Sequence, residues 1–196
     1  MDSARAGAFP MSSRPLNPSI ARHFDEVVLP HLDAAYRLAR WLVGNEHDAE
    51  DVVQEACLRA LRYFRTYSSG NSRAWFLRIV RNTCYDWHRR TRQLPSDVFD
   101  EEQHSDTTST RDPERLMLHA ADTALVARAL RELPDRFREL LVLRELEELS
   151  YQELADVLGI PIGSVMSGLS RARQAFRRAL ETRLQQVARE SGAAVV

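Results

Sequence analysis

The sequence predicts an all-α protein built from two small helical domains joined by a flexible acidic linker. Three observations carry that reading. Apolar residues recur at helical spacing along most of the chain, and no stretch gives a convincing strand pattern. Gln93 to Asp112, with DEEQHSDTTSTRD inside it, is too polar and acidic to form a core and so divides the chain in two. Ser150 to Phe176 reads as two helices around a tight turn, the organising motif of the second half.

Residues 1–19 lack a hydrophobic signal core and read as a disordered lead, in which Met11 offers an alternative start. From Ile20 to Val43, Phe24, Val27, Val28, Leu32, Ala35, Tyr36, Ala39, Leu42 and Val43 fall at mostly helical spacing. Pro30 should kink or divide this stretch, and Gly44 with Asn45 ends it. Asp48 to Phe64 is the next helix, with Ala49, Val52, Val53, Ala56, Ala60 and Phe64 inward. Its other side presents Asp48, Asp51, Gln54, Glu55, Arg59 and Arg62. The early acids favour the helix dipole. That face is either simply solvated or an acidic surface for a protein partner.

Arg65 to Ser72, RTYSSGNS, is a polar loop carrying Tyr67, and Asn71 or Ser72 can cap the helix after it. Arg73 to Arg90 is that third helix. Trp75, Phe76, Ile79, Val80 and Thr83 support packing, while Arg78, Arg81, Asn82, Asp86, His88, Arg89 and Arg90 supply polar groups. Aromatics interleaved with arginines beside a loop suit single-stranded nucleic acid, with bases on rings and phosphates on guanidiniums. A core helix with an exposed basic face fits that segment equally well.

Beyond the linker, Pro113 to Leu133 is helical, and Pro134 breaks the run and opens a helix to about Glu148. Ser150 and Glu153 then stand at capping-box spacing. Leu154, Ala155 and Leu158 form an apolar face, Gly159 ends the helix, and Pro161 opens a short second one. In that helix Val165, Leu169, Ala172 and Phe176 form one stripe, opposite Ser167, Ser170, Arg171 and Gln174, with Arg173 on a flank. This is a helix-turn-helix whose second helix suits a DNA major groove. The units are thus 1–19 lead, 20–93 first domain, 94–112 linker, 113–190 second domain and 191–196 tail.

Charge supports two contacts with a polyanion. The net charge is only −1, but Ser72 to Arg92 holds six arginines against Asp86, and Ser164 to Arg189 six against Glu181. Leu94 to Glu114 holds seven acids against Arg111. All 27 basic residues are arginine, a global bias that says little about any one site. Two cysteines, Cys57 and Cys84, give no disulfide framework, and no apolar run reaches membrane-spanning length; a reduced cytoplasm is expected. There is no phosphate-binding glycine loop, HExxH or GxSxG. Cys84 and His88 share a helical face, but two ligands do not make a metal site. No catalysis, cofactor or metal is expected. Three functions compete: a promoter-specificity subunit, a stand-alone helix-turn-helix regulator of duplex DNA, and a nucleic-acid enzyme. The second lacks a sensor pattern in its N-terminal half, and the third lacks a metal-binding carboxylate set.

The motifs resemble the sigma-70 family, specifically the extracytoplasmic-function group of bacterial sigma factors, from about Phe24 to Leu180. DAEDVVQEACLRALRYF is similar to the group's core-binding helix, SRAWFLRIVRNTCYDWHRR to its promoter-melting helix, and LPDRFRELLVLRELEELSYQELADVLGIPIGSVMSGLSRAR to its −35-binding domain. The resemblance implies promoter-specific initiation with core RNA polymerase, in a stress or envelope response. Asp48, Asp51, Gln54 and Glu55 would face the β′ clamp helices, and the second domain the β flap. Tyr67, Ser68, Ser69 and Asn71 would receive a flipped −10 base. Trp75, Arg78, Asn82, Asp86, Arg89 and Arg90 would hold the opening duplex. Ser164, Ser167, Arg171 and Arg173 would meet the −35 groove. The linker would thread toward the active-site cleft, and an anti-sigma factor, membrane-bound or soluble, would hold the protein inactive. Gly168 stands where relatives commonly carry arginine. Gly168→Arg is expected to strengthen −35 binding, unless the position lies against the packed stripe.

Overall fold

A computed structural model describes residues 18–67, 70–91 and 113–193, and among them every regular element is helical. The expected linker lies outside the described residues, as do Ser68, Ser69 and residues 1–17 of the expected lead; Pro18 and Ser19, the last two residues of that lead, belong to the first helix. Pro30 divides the first helical stretch as its missing N–H and fixed φ require. α1 (Pro18–Val28) gives way to a 3₁₀ turn at Leu29–His31, and α2 (Leu32–Val43) follows. Gly44 stops α2 at φ 98° and donates its N–H to the Arg40 carbonyl.

α3 (Glu46–Tyr63) starts two residues before the expected Asp48, because Asn45 caps it through the Asp48 amide at 2.9 Å. α4 (Ser72–Thr91) is capped by Asn71, whose Oδ1 accepts the Ala74 amide at 3.0 Å. α2, α3 and α4 pack against one another. Their core is Leu38, Ala39, Val52, Ala56, Phe76, Leu77 and Val80, all essentially inaccessible.

In the second half, α5 (Pro113–Arg131) and α6 (Asp135–Leu141) are joined at Pro134. The helix expected to run to Glu148 instead ends at Leu141 and widens into a π-turn over Val142–Leu146. Glu148 then takes a left-handed φ of 53°, rare outside glycine and asparagine. α7 (Tyr151–Leu158) begins with both bonds of the expected capping box: Ser150 Oγ accepts the Glu153 amide at 3.2 Å, and Glu153 Oε2 accepts the Ser150 amide at 2.7 Å. Gly159 closes α7 at φ 67°. α8 (Ile162–Ala193) is a 32-residue helix, not the short one expected, and it absorbs part of the expected tail. No glycine-led stop or proline interrupts it after the turn, and α5, α6 and α7 all pack along it.

The two halves do not stand apart. α2 packs on α6 and on the π-turn, and α4 packs on α7. Leu38, Phe76 and Val80 from the first half join Leu140, Leu143, Leu149, Leu154 and Leu169 from the second in one continuous apolar cluster.

Candidate nucleic-acid interface

The acidic face of α3 divides into free and engaged groups. Asp51 and Gln54 are exposed. Asp48 is half-buried and spends its carboxylate on the Asn45 side-chain amide. Glu55 accepts from Arg59 Nη2 at 2.5 Å and from Arg90 Nη2 at 2.7 Å. Burial pushes the Glu55 carboxyl up, but the bonds from Arg90 and Arg59 outweigh it and hold it below the ordinary glutamate value. Arg59 continues to Asp86 at 2.6 Å, and Asp86 accepts Arg89 at 2.7 Å. Glu55, assigned to one partner by resemblance, and Asp86, Arg89 and Arg90, assigned to another, are therefore one network riveting α3 to α4.

The loop side chains form an aromatic cluster. Tyr67 stacks on Phe64 at a centroid distance of 5.9 Å and tilts against Trp75 at 4.8 Å. Both Tyr67 and Trp75 are half-buried, and the Tyr67 hydroxyl donates to the Gly70 carbonyl at 3.0 Å. One ring face of such a cluster can present to a base while the rest holds the loop in shape. Arg78, Asn82, Arg89 and Arg90 are exposed along α4. Asn82 accepts from Arg81 at 3.3 Å.

On α8, Ser164, Ser167, Arg171 and Arg173 are all exposed. Ser167 Oγ donates to the Ser164 carbonyl at 3.2 Å, and Arg171 Nε to the Ser167 carbonyl at 3.3 Å. Arg173 is already paired, with Glu145 at 2.8 Å, so a DNA contact there must displace a carboxylate. Met166 is exposed, whereas Gly168 is buried. The Cys84–His88 pair is used otherwise. His88 Nε2 sits 2.7 Å from the Leu42 carbonyl, and Cys84 is buried, its thiol pushed up to about 12 by that burial. Cys57 is half-buried.

Residues absent from the sequence-based sites line the seam between the halves. Glu147 is wholly inaccessible and accepts from Arg37 Nε at 2.7 Å, Arg37 Nη2 at 2.9 Å and Arg73 Nη2 at 3.1 Å. Glu139, on α6, is buried and accepts from both Arg81 and Tyr85, the latter at 3.1 Å. Asn71, named as a base contact, donates to Glu153 Oε1 at 2.6 Å across the same seam. Arg78 lies beside Gly159, where an added Cβ would sit 3.8 Å from its Nη2. A cavity of about 260 Å³ opens there, with Arg81, Arg136, Ser164 and Arg171 among its lining. One signal was available in the sequence: Glu139 lies three and four residues before Val142 and Leu143, on an apolar helix stripe where an acid demands a partner.

Comparison with known proteins adds identity to this geometry. Residues 27–93 match the family described as Sigma-70 region 2, and residues 123–176 match Sigma-70, region 4. The ECF RNA polymerase sigma factor SigE of Mycolicibacterium smegmatis is 36% identical over 154 residues, covering 79% of this chain and 60% of that protein. The RNA polymerase sigma-H factor of Pseudomonas aeruginosa is 34% identical over 174 residues, covering 84% of this chain and 90% of that one. Among solved structures, the sigma factor RpoE of Bartonella quintana, co-crystallised with the anti-sigma factor NepR, superposes with a TM-score of 0.63 at 25% identity, over 82% of this chain and 98% of that one.

Proposed function

Because the chain belongs to the sigma-70 family, in its extracytoplasmic-function group, we infer that it binds core RNA polymerase and directs promoter-specific transcription initiation. It is a binding protein rather than an enzyme. The observation that carries the reading is the presence of region 2 and region 4, in that order, in one chain. The functional units are 20–93 for core binding and −10 melting, and 113–190 for −35 recognition. They are joined by 94–112, and 1–19 and 191–196 lie outside the two functional units.

Exposed Asp51 and Gln54 support a polymerase contact on α3, with Asp48 and Glu55 flanking it. The Tyr67–Trp75 cluster, with Asn71, Arg78, Asn82, Asp86, Arg89 and Arg90 on α4, supports capture of the −10 strand, and Ser68 and Ser69 belong to the same loop. Ser164, Ser167, Arg171 and Arg173 support a major-groove contact at −35. An anti-sigma factor is a further partner; the Bartonella quintana relative was crystallised with one. No described helix is long and apolar enough to cross a membrane. We place the protein's work in the bacterial cytoplasm, with membrane tethering only through such an inhibitor, in a stress or envelope response.

Runoff transcription with purified core polymerase tests the reading. RNA of defined start, produced only when both core and this chain are present, is the expected result. Sequence-specific binding to duplex DNA without core, and no runoff RNA with it, would favour a stand-alone regulator.

A further inference from the structure

We propose that the cavity of about 260 Å³ beside Gly168 is a binding site for a small nucleotide with a terminal phosphate, and that its occupant competes with DNA for α8. The inference rests on the sigma-factor reading for the role of that DNA, but not for nucleotide binding itself.

Arg81 apart, the lining comes from the second half of the chain. α6 supplies Arg136 and Phe137, the end of α7 and its turn supply Leu158 and Ile160, and α8 supplies Ser164 and Arg171. The charge of this lining is cationic and largely unspent. Arg81 is neutralised by Glu139, itself in the wall. Arg136 has no carboxylate partner among the described residues, and its guanidinium carbon lies 4.8 Å from the Phe137 ring centroid. Arg171 spends only Nε, on the Ser167 carbonyl at 3.3 Å, which leaves both of its amino groups available. The Ser164 hydroxyl is also without a partner among the described residues, and it stands in the first turn of α8, where the helix dipole favours an anion.

Two available guanidiniums match a phosphomonoester, which carries a charge of about −1.5 to −2 near neutral pH. A phosphate of the DNA backbone is a diester with a single charge and uses only half of that complement. The rest of the wall is apolar, so a phosphate alone leaves Phe137, Leu158 and Ile160 wet. A flat ring attached to the phosphate covers them and stacks on the Arg136–Phe137 pair. The volume lies just under the range of about 300–1,000 Å³ usual for ligand pockets, which suits one nucleotide and not a strand. Ser164 and Arg171 are also two of the four side chains assigned to the −35 groove. A nucleotide held between Arg136 and Arg171 takes groups that DNA requires, so each weakens the binding of the other.

The test uses the full chain. Isothermal titration calorimetry with adenosine 5′-monophosphate, adenosine and inorganic phosphate reads the site. We expect a dissociation constant below about 1 mM for the monophosphate, and binding weaker by about tenfold or more for adenosine and for phosphate, since each fills only part of the cavity. Arg136→Ala removes an exposed cation, and Ile160→Glu adds a carboxylate to the wall; each should weaken the monophosphate about tenfold, with circular dichroism checking the fold. Fluorescence anisotropy with a short labelled duplex at low salt then separates a free nucleotide from the DNA backbone as the occupant. The monophosphate at about ten times its dissociation constant should weaken duplex binding about tenfold for wild type, and about twofold or less for Arg136→Ala. An equal concentration of inorganic phosphate should leave it nearly unchanged. A monophosphate that fails to bind, or that binds both variants as tightly as wild type, would overturn the site. So would duplex binding that the monophosphate does not move. Duplex binding lost in Arg136→Ala, with the monophosphate bound no better than inorganic phosphate, would overturn it in favour of the DNA backbone. Failure of runoff transcription would remove the sigma-factor reading and leave the calorimetry to decide the nucleotide site alone.

Discussion

Gly168 faces Leu140 so closely that a Cβ built on it would lie 2.9 Å from the Leu140 Cδ1 methyl. α6 and α8 meet at this point, and the absence of a side chain is what lets them approach. Gly168 is therefore a packing residue on the inner flank of α8, which favours the second of the two outcomes expected for Gly168→Arg. Arginine would have to displace Leu140 or snorkel into the neighbouring cavity. We expect Gly168→Arg to cost about 1–3 kcal/mol by overpacking. Affinity for a −35 duplex should not rise, and its salt slope should not steepen. Thermal melting beside a salt titration checks both, and a steeper slope with unchanged melting would put Gly168 on the DNA face.

Charge reversal on α3 needs the right residues. Glu55 is bonded to Arg59 and Arg90, so reversing it breaks the rivet between α3 and α4 as well as any partner contact. Asp51 and Gln54 are exposed, so Asp51→Arg/Gln54→Arg alters the surface alone. That pair should weaken core-polymerase binding by about tenfold or more while stability moves by no more than about 0.5 kcal/mol. Titration against labelled core, paired with a melting curve, reads both. Unchanged affinity would move the polymerase contact elsewhere.

The −10 assignments separate in the same way. Asn82 is exposed, whereas Tyr67 is wedged between Phe64 and Trp75. Asn82→Ala should reduce open-complex formation with no loss of fold. Tyr67→Ala should reduce it too, but with about 1–3 kcal/mol of lost domain stability. Permanganate footprinting scores melting of the promoter in each. Normal footprints in both would remove this face from the −10 contact.

Cysteine chemistry gives a test without DNA. Cys84 is fully buried and its thiol is pushed up to about 12, whereas Cys57 is half-buried. The thiolate is the reactive form. Iodoacetamide at mildly alkaline pH should modify Cys57 while sparing Cys84 until the chain unfolds, as peptide mass mapping will show. Equal modification of the two in the folded chain would contradict the packing of α4.

What was legible in the sequence was local. The Ser150–Glu153 capping box, the stop at Gly159 and the break at Pro30 depend on residues within a few positions of each other, and each formed as its chemistry required. Tyr67 and Trp75 were legible as aromatics but not as a cluster with Phe64. The seam was not legible, because Arg37 and Glu147 are 110 positions apart and no local rule pairs them. The π-turn escaped as well: Val142 to Leu146 reads as ordinary helix from its residue types. Arg173 shows the limit of assigning a side chain by resemblance, since its charge is paired with Glu145.

Acid should act on the fold through Glu139. Burial raises the Glu139 carboxyl above its ordinary value of 4.5, and the opposing pull of Arg81 and Tyr85 does not restore it. A carboxyl that holds its proton more tightly when folded than when unfolded gives a native state with more bound protons in the window just above that ordinary value. Stability from this group is then fully present below the unfolded value and is lost as pH rises through the folded one. Glu153 runs the other way: hydrogen bonding from the Ser150 amide lowers it, so its contribution is lost as pH falls. The two effects oppose each other in the wild type, so the informative quantity is a difference. The stability of wild type minus that of Glu139→Gln should grow on acidification from neutral pH, because glutamine carries no proton linkage. Urea titrations of both proteins across the acidic range measure it. A difference that stays flat, or shrinks as pH falls, would mean that Glu139 is ionised in the folded chain as readily as in the unfolded one, with its pairing to Arg81 outweighing the cost of burial.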